Sequence, residues 1–239
     1  MKFETIIAEQ QQNGIAILTL NRAEKRNALT IQMREEISAC LRSWKNQSTV
    51  SAVVITGSSP AFCAGFDLNE FKATERFREI IHSSTHYHRD LWYFPKPTIA
   101  AINGVAMGGG FDLALFCDLR VCSADASFGH PEIKFGAPPL FTPLRWIVGD
   151  GLARDLCLTG RKIDAVEAHR IGLVSEVVDS GSVLRRAVEI AAKIIEAPAE
   201  TIQFTKRFLL SSTGQSFEEA FKVEHDDAFH FFLEQRRTN

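Results

Sequence analysis

Tyrosine is almost missing from this 239-residue sequence, which has two against 18 phenylalanines, so most of its aromatic surface carries no hydroxyl in need of a partner. An apolar ligand pocket would use such rings, and plain core packing uses them more often. An excess of either charge is lacking too. With 27 Lys and Arg against 29 Asp and Glu, the formal net charge is −2, which gives no global reason for nucleic-acid binding. No apolar run reaches the roughly 18 residues of a membrane helix. The opening MKFETIIAEQ has acids and Gln where a secretory signal needs a longer apolar stretch. A soluble cytoplasmic protein with no membrane and no nucleic-acid partner is expected. The cysteines (Cys40, Cys63, Cys117, Cys122, Cys157) are odd in number and form no C-x-x-C pair. That argues against a disulfide framework and a zinc ribbon and for reduced, mainly core thiols.

At 45% hydrophobic and 23% charged residues, the chain can bury one large core, with or without an appended subdomain. GIAILTL (14–20) reads as a strand, followed by the turn-forming NRAEKRNA (21–28) and a helix with Met33, Ile37, Leu41 and Trp44 on one face. AVVITG (52–57) reads as a buried strand running into the loop SSPAFCAGFDLNE (58–70) and a long helical stretch to Tyr93, stopped by Pro95 and Pro97. The third unit is the strand TIAAINGV (98–105), the loop MGGG (107–110), the short helix FDLALF (111–116) and a strand around LRVC (119–122). Repeated strand, loop and helix indicate an α/β fold. After Phe135 the pattern is helical apart from LVSEVV (173–178), and from Ser182 only helices are expected. In the last of them Phe217, Phe221, His225, Ala228 and Phe232 share one face, which needs the core or a second subunit to cover it.

Two nucleotide motifs are missing from the third unit. Gly110 is followed by Phe111-Asp112 where a phosphate loop needs Lys-Ser/Thr, and counting from Gly108 the sixth residue is Leu113 where a dinucleotide fingerprint needs Gly. What remains is a glycine run at a helix N-terminus, suited either to close packing or to holding negative charge on free N–H groups. AFCAGFDL (61–68) also follows a buried strand. Two such loops at neighbouring strand ends can build an oxyanion hole from the backbone. Asp112 and Glu132 (in SFGHPEI, 127–133) stand beside this apparatus, and paired carboxyls there suit proton transfer next to a carbonyl. Taken singly, Asp112 also suits a first-turn dipole partner and Glu132 a plain loop acid. No metal is expected. His82, His86 and His88 lack a carboxylate or cysteine at ligand spacing, and His88 points off the face of the other two. His130 reads as a pocket-wall or backbone-supporting residue rather than a base, and Asn27 as structural. Lys25 and Arg26 suit phosphates or a solvated loop.

NRAEKRNAL (21–29), AFCAGFDL (61–68), INGVAMGGGFDLALFCDLRV (102–121), FGHPEI (128–133) and LTGRKIDAVEAHRIGLVSEVV (158–178) together resemble the enoyl-CoA hydratase/isomerase, or crotonase, superfamily in order and spacing. The resemblance implies a crotonase-like spiral of β-β-α turns over residues 1–195. It also implies a C-terminal helical region, 196–239, that makes homotrimers, often paired into hexamers. The ligand it implies is a coenzyme A thioester, as substrate, with no permanently bound cofactor. By position, the N–H groups of Phe66 and Gly109 would form the oxyanion hole. Asp112 falls on the first catalytic acid of the hydratases, and Glu132 on the second, which the isomerases also use. Lys25, Arg26, Ala28, Ala64, Asp67, Leu68 and Pro131 would line the CoA nucleotide and pantetheine. Hydration of a 2-enoyl-CoA in fatty acid metabolism is the activity implied. The alternatives are double-bond isomerisation by Glu132 alone and a binding protein of this fold without turnover. There are departures. Asp112 is one methylene shorter than the usual hydratase Glu. The dienoyl-CoA isomerases, which have Asp there, use a further Asp where this chain has Leu140. GAPPLFTPLRW (136–146) is shorter than the usual glycine-rich stretch, and the C-terminus reads as trimmed.

Overall fold

The computed structural model describes residues 2–72, 74–211 and 214–238. The strands are β1 (Ile6–Gln10), β2 (Ile15–Leu20), β3 (Ala52–Gly57), β4 (Ala61–Cys63), β5 (Thr98–Ile102), β6 (Val105–Met107), β7 (Leu119–Ser123), β8 (Ser127–Gly129), β9 (Ile163–Asp164) and β10 (Glu176–Val178). One sheet runs β1-β2-β3-β5-β7-β10 and a smaller one β4-β6-β8-β9. In the larger sheet only β1–β2 is antiparallel, in the smaller only β8–β9.

The helices are α1 (Ile31–Lys45), α2 (Phe77–Trp92), α3 (Gly109–Leu115), α4 (Thr142–Val148), α5 (Asp150–Thr159), α6 (Ala165–Arg170), α7 (Val183–Ile194), α8 (Ala199–Ser211), α9 (Phe217–Phe221) and α10 (Ala228–Thr238). The expected strands and the helices at α1, α2 and α3 are present. Each unit, however, crosses both sheets. β3 passes to β4, β5 to β6 and β7 to β8 through short links, so the fold is a spiral of β-β-α turns. TIAAINGV is therefore two strands rather than one, broken at Asn103-Gly104. Asn103 ties the break back to β3 by donating its amide to the Gly57 carbonyl at 2.8 Å.

Alternation in the buried strands sorts the core. Ile15, Ile17, Ala52, Val54, Ile99, Ala101 and Val121 face α7, which meets them with Val183, Ala187 and Ala191 at helical spacing of four. Ala16, Leu18, Leu20, Val53, Ile55, Ala100 and Ile102 face the other way, into the core that includes Met33, Ile37, Leu41 and Trp44 of α1. Thr30 caps α1, its hydroxyl accepting from the Met33 N–H at 3.1 Å. All five cysteines are free and buried.

The C-terminal aromatic face differs in phase from the expectation. Phe217, Phe221, His225 and Phe229 form a ladder with ring centroids 5.3, 4.8 and 4.8 Å apart. Residues Lys222–Asp227 are a π-helical segment, whose wider turn keeps every fourth residue in line. Ala228 and Phe232 instead turn into a groove against Phe204 and Phe208 of α8.

Candidate active site

Glycine decides how closely the two loops approach. Gly65 has φ +101°, and a β-carbon there would lie 2.8 Å from the Met107 carbonyl oxygen and 3.5 Å from the Gly109 nitrogen. Any side chain at Gly110 would collide with the Cys63 carbonyl, so α3 seats directly on β4. Next to Gly65, Phe66 is bridged to Leu29. The Leu29 N–H donates to the Gly65 carbonyl at 2.8 Å and the Asp67 N–H to the Leu29 carbonyl at 3.1 Å. The intervening Phe66 N–H finds no backbone or side-chain acceptor among the described residues. Nor does the Gly109 N–H, which opens α3 and has no carbonyl in its own helix to reach.

Arg34 braces this corner. Fully buried, it donates from Nη1 to the Leu29 carbonyl at 2.8 Å and from Nε to Ser83 Oγ at 3.0 Å. It pairs with Glu70 at 3.3 Å and lies 4.6 Å from the Phe66 ring centroid. Glu70 in turn accepts from the Ile31 N–H at 2.8 Å. Sequence reasoning passed over Arg34; an arginine among the apolar positions of α1 was the available signal.

Asp112, in the first turn of α3, is only 5% exposed. Glu132 lies in the 3-10 turn Pro131–Phe135, and between the two acids stands the fully buried ring of His130. His130 Nδ1 is 2.9 Å from Glu132 Oε1, a hydrogen bond, whereas Nε2 is 3.9 Å from Asp112 Oδ1. Asp112 Oδ1, His130 Nε2 and Glu132 Oε2 are all buried without a hydrogen-bond partner. Burial pushes the Asp112 carboxyl up to about 7, with His130 opposing the shift and Glu132 adding to it. Donor atoms of the three side chains lie within 4.8 Å of one another, a span that suits a water or a cation. The expected wall position of His130 is thus a bridging one. The His-Pro-Glu spacing, which brings two polar side chains two residues apart, was the overlooked cue.

A cavity of about 430 Å³ opens over these groups. Among the expected site residues, Ala64, Phe66, Leu68, Gly109, Asp112, Pro131 and Glu132 line it, and Phe71, His88, Phe135 and Leu140 add larger side chains to the wall. Burial pulls His88 down to about 4, so its ring is neutral at physiological pH. His82 and His86 stay on the outside with centroids 4.1 Å apart, turned from His88 as expected.

Lys25, Arg26, Ala28 and Asp67 do not line the cavity; the first three stand on the adjoining loop, and Asp67 sits between the lining residues Phe66 and Leu68. The Arg26 carbonyl accepts from the Ala64 N–H at 2.9 Å, and Lys25 and Arg26 are exposed. The Ala28 carbonyl accepts from Arg22 Nη1 at 2.7 Å, and Arg22 also pairs with Asp67 at 3.2 Å. Burial works to raise the Asp67 carboxyl, but hydrogen bonds from Asn69 and Arg22 hold it below the usual carboxylate range. Asn27 is structural, donating its amide to the Ser58 and Ala61 carbonyls at 2.8 and 2.7 Å.

The chain matches the family model described as enoyl-CoA hydratase/isomerase over residues 10–238. It is 34% identical to a short-chain-enoyl-CoA hydratase of Clostridium acetobutylicum, covering 99% of this chain and 97% of that protein. A crotonyl-CoA hydratase of Syntrophomonas wolfei is 32% identical, with 100% and 98% covered. Among solved structures, an enoyl-CoA hydratase from Bacillus anthracis superposes with a TM-score of 0.91 at 30% identity, over 95% of this chain and 90% of that one.

Proposed function

Because the chain belongs to the enoyl-CoA hydratase/isomerase family, we propose that it adds water across the double bond of a 2-enoyl-CoA, with a short acyl group as the first substrate to try. The observation that carries this reading is the convergence on one cavity of two unpartnered N–H groups and two carboxyls with unpartnered buried oxygens. The N–H groups of Phe66 and Gly109 receive the thioester oxygen, where negative charge develops as the enolate forms. One such donor is typically worth ~3–4 kcal/mol in the transition state. Asp112 and Glu132 grip the water. A water hydrogen-bonded to two oxygens at about 2.8 Å each spans about 4.5 Å between them, close to the 4.8 Å limit of this group. The water oxygen bonds to Cβ, the double-bond electron pair moves to Cα, one carboxyl takes a proton from the water, and the other delivers one to Cα.

Ala64, Leu68 and Pro131 flank the pantetheine arm, and the loop of Lys25, Arg26 and Ala28, with Asp67 beside it, meets the nucleotide. CoA is a substrate portion here and no resident cofactor is invoked. The exposed rings of Phe217, Phe221 and Phe229 support packing of the 196–239 region against further copies, as a trimer or dimer of trimers. A monomer mass by light scattering at micromolar concentration would overturn that assembly. A reducing, cytoplasmic compartment suits five free cysteines, and no described helix is long and apolar enough to cross a membrane.

One observation favours the isomerase reading. The Asp112 side chain is recessed, 8% exposed against 22% for Glu132, as a single shuttling carboxylate at Glu132 would allow. Incubation with crotonyl-CoA and with a 3-enoyl-CoA separates the two by product mass. Hydration adds one water, isomerisation adds nothing, and an unchanged crotonyl-CoA sinks the hydratase reading.

A further inference from the structure

We propose, resting on the hydratase reading, that His88 selects the acyl group by hydrogen-bonding a hydroxyl carried beyond the double bond, so that the preferred substrate is a hydroxylated 2-enoyl-CoA. On α2, Tyr87 and Leu91 face the core, while Ser84 and His88, four residues apart, turn to the cavity over the two acids. His88 Nε2 is buried and has no hydrogen-bond partner among the described residues. Its Nδ1 has only the Ser84 hydroxyl, at a long 3.4 Å. A ring nitrogen withdrawn from water and left unpaired carries the cost of its desolvation, which a ligand that pairs it removes.

The surroundings supply no such partner. The rings of Tyr87, Phe116 and Phe66 stand about His88 with centroids 4.1, 4.9 and 6.3 Å away, and a ring face is a weak substitute for an oxygen. The Tyr87 hydroxyl is engaged with the Gly109 carbonyl at 3.4 Å. For a plain hydrocarbon chain a phenylalanine would serve this wall better, since it leaves nothing unpaired. A hydroxyl is the ligand group that fits. The Ser84 hydroxyl both donates and accepts, so its contact admits either ring tautomer, and a second hydroxyl answers Nε2 whether that atom carries the hydrogen or the lone pair. A charged substituent does not fit, because the ring is neutral and a charge among these aromatic side chains would be desolvated without a counterpart.

Position sets how far along the chain that hydroxyl stands. Phe66 supplies an N–H for the thioester oxygen, and His88 lies beyond the Phe66 ring, so the chain meets it several carbons past the carbonyl. A second cavity of about 410 Å³ shares His88 and Leu140 with the first and is lined further by Trp92, Phe116 and Trp146. His88 thus stands where the two cavities join. Nε2 is closed to solvent, and the hydroxyl reaches it as Leu140, 39% exposed at the border of both cavities, gives way. A shorter chain ends before His88 and a longer one carries its hydroxyl past it, so the preference peaks at one length.

The test is a panel of 2-enoyl-CoA thioesters of increasing chain length that end in a hydroxyl, each paired with the thioester that ends in a methyl instead. In the wild type one length is expected to show a kcat/KM about tenfold or more higher for the hydroxyl member, modest against what a site that hydrogen-bonds a substrate hydroxyl can reach. His88→Phe should bring that ratio to about one or below, and His88→Gln, which keeps a donor and an acceptor, should restore part of it. The ratio is taken within each protein, so a general loss of activity cancels. No hydroxyl preference at any length in the wild type overturns the proposal, as does a preference that His88→Phe leaves intact. If the variants do not fold, a shift of the His88 ring-nitrogen NMR signal on binding the hydroxyl but not the methyl thioester supports the contact, and no shift overturns it. If the wild type hydrates neither this panel nor crotonyl-CoA, the hydratase reading falls. Calorimetry with the saturated thioesters then still decides for His88, tighter binding of the hydroxyl member supporting it and equal binding overturning it.

Discussion

One cluster of buried ionisable groups lies at the large sheet of this protein and another at the smaller sheet, and they are finished to different degrees. Where α8 docks, Lys206 Nζ donates to Asp118 Oδ2 and to the Lys96 carbonyl, each at 2.7 Å. Asp118 also accepts from the Thr98 N–H at 2.7 Å and its hydroxyl at 2.8 Å, and Lys96 Nζ donates to the Trp44 and Gln47 carbonyls at 2.6 Å. Burial pulls Lys206 below the usual lysine range and Asp118 pushes back. At the Asp112–His130–Glu132 corner, by contrast, one polar atom of each side chain is left without a partner. Native proteins satisfy buried polar groups almost everywhere, so three unpartnered atoms gathered in one corner that adjoins a cavity point to a place where something else binds. The first cluster holds a helix in place; the second is open to a reactant.

That contrast breaks most visibly at Glu132. Glu132→Gln is expected to slow hydration of crotonyl-CoA by ~10³-fold or more while leaving the melting temperature near that of the wild type. A large loss of stability with unimpaired turnover would reverse the roles of the two clusters. Lys206→Met should do the opposite. Removing one partner of a buried pair costs about 3–5 kcal/mol, so denaturant melts should reveal a loss of about that size, with kcat of the folded fraction unchanged. A smaller effect sharpens the comparison through pH. The Asp112 carboxyl titrates at about 7 in the folded chain against 3.8 ordinarily, so the native state holds an extra proton between those values. Stability contributed by the neutral form is whole below pH 4 and is lost as pH rises through 7. Asp112→Asn, locked neutral, should gain about 2–3 kcal/mol on the wild type between pH 5 and pH 8, roughly 5–10 °C in Tm. An equal pH dependence in both proteins would place Asp112 in a wetter setting than this structure gives it.

Much of this was legible in the residues themselves. GIAILTL and AVVITG announce buried strands because their apolar runs end in turn-formers, and the helical spacing of Met33, Ile37, Leu41 and Trp44 survives intact. The two glycine loops and both acids were visible because the motifs are local. Short strands were not. β4 and β6 have three residues each, too few for a period, and the break at Asn103-Gly104 depends on a partner sheet that pattern reading cannot see. The C-terminal ladder ran true to Phe221 and His225, then slipped, because a π turn alters the phase without altering composition. Arg34 was passed over for the same reason as the Lys206–Asp118 pair: Ser83 lies 49 residues from Arg34 and Asp118 lies 88 from Lys206, and only the fold brings them together. His130 had its cue close by, two residues from Glu132.

The claim that the unfinished corner acts on water through two carboxyls meets its most direct test in the rate at which Asp112→Asn hydrates crotonyl-CoA. Asparagine keeps the shape and can still hold a water, but it has no acidic proton to give to Cα. The expected result is hydration slowed by ~10²-fold or more, with CoA-thioester binding retained by calorimetry. Wild-type hydration in Asp112→Asn would contradict the two-carboxyl mechanism and leave Glu132 to act alone.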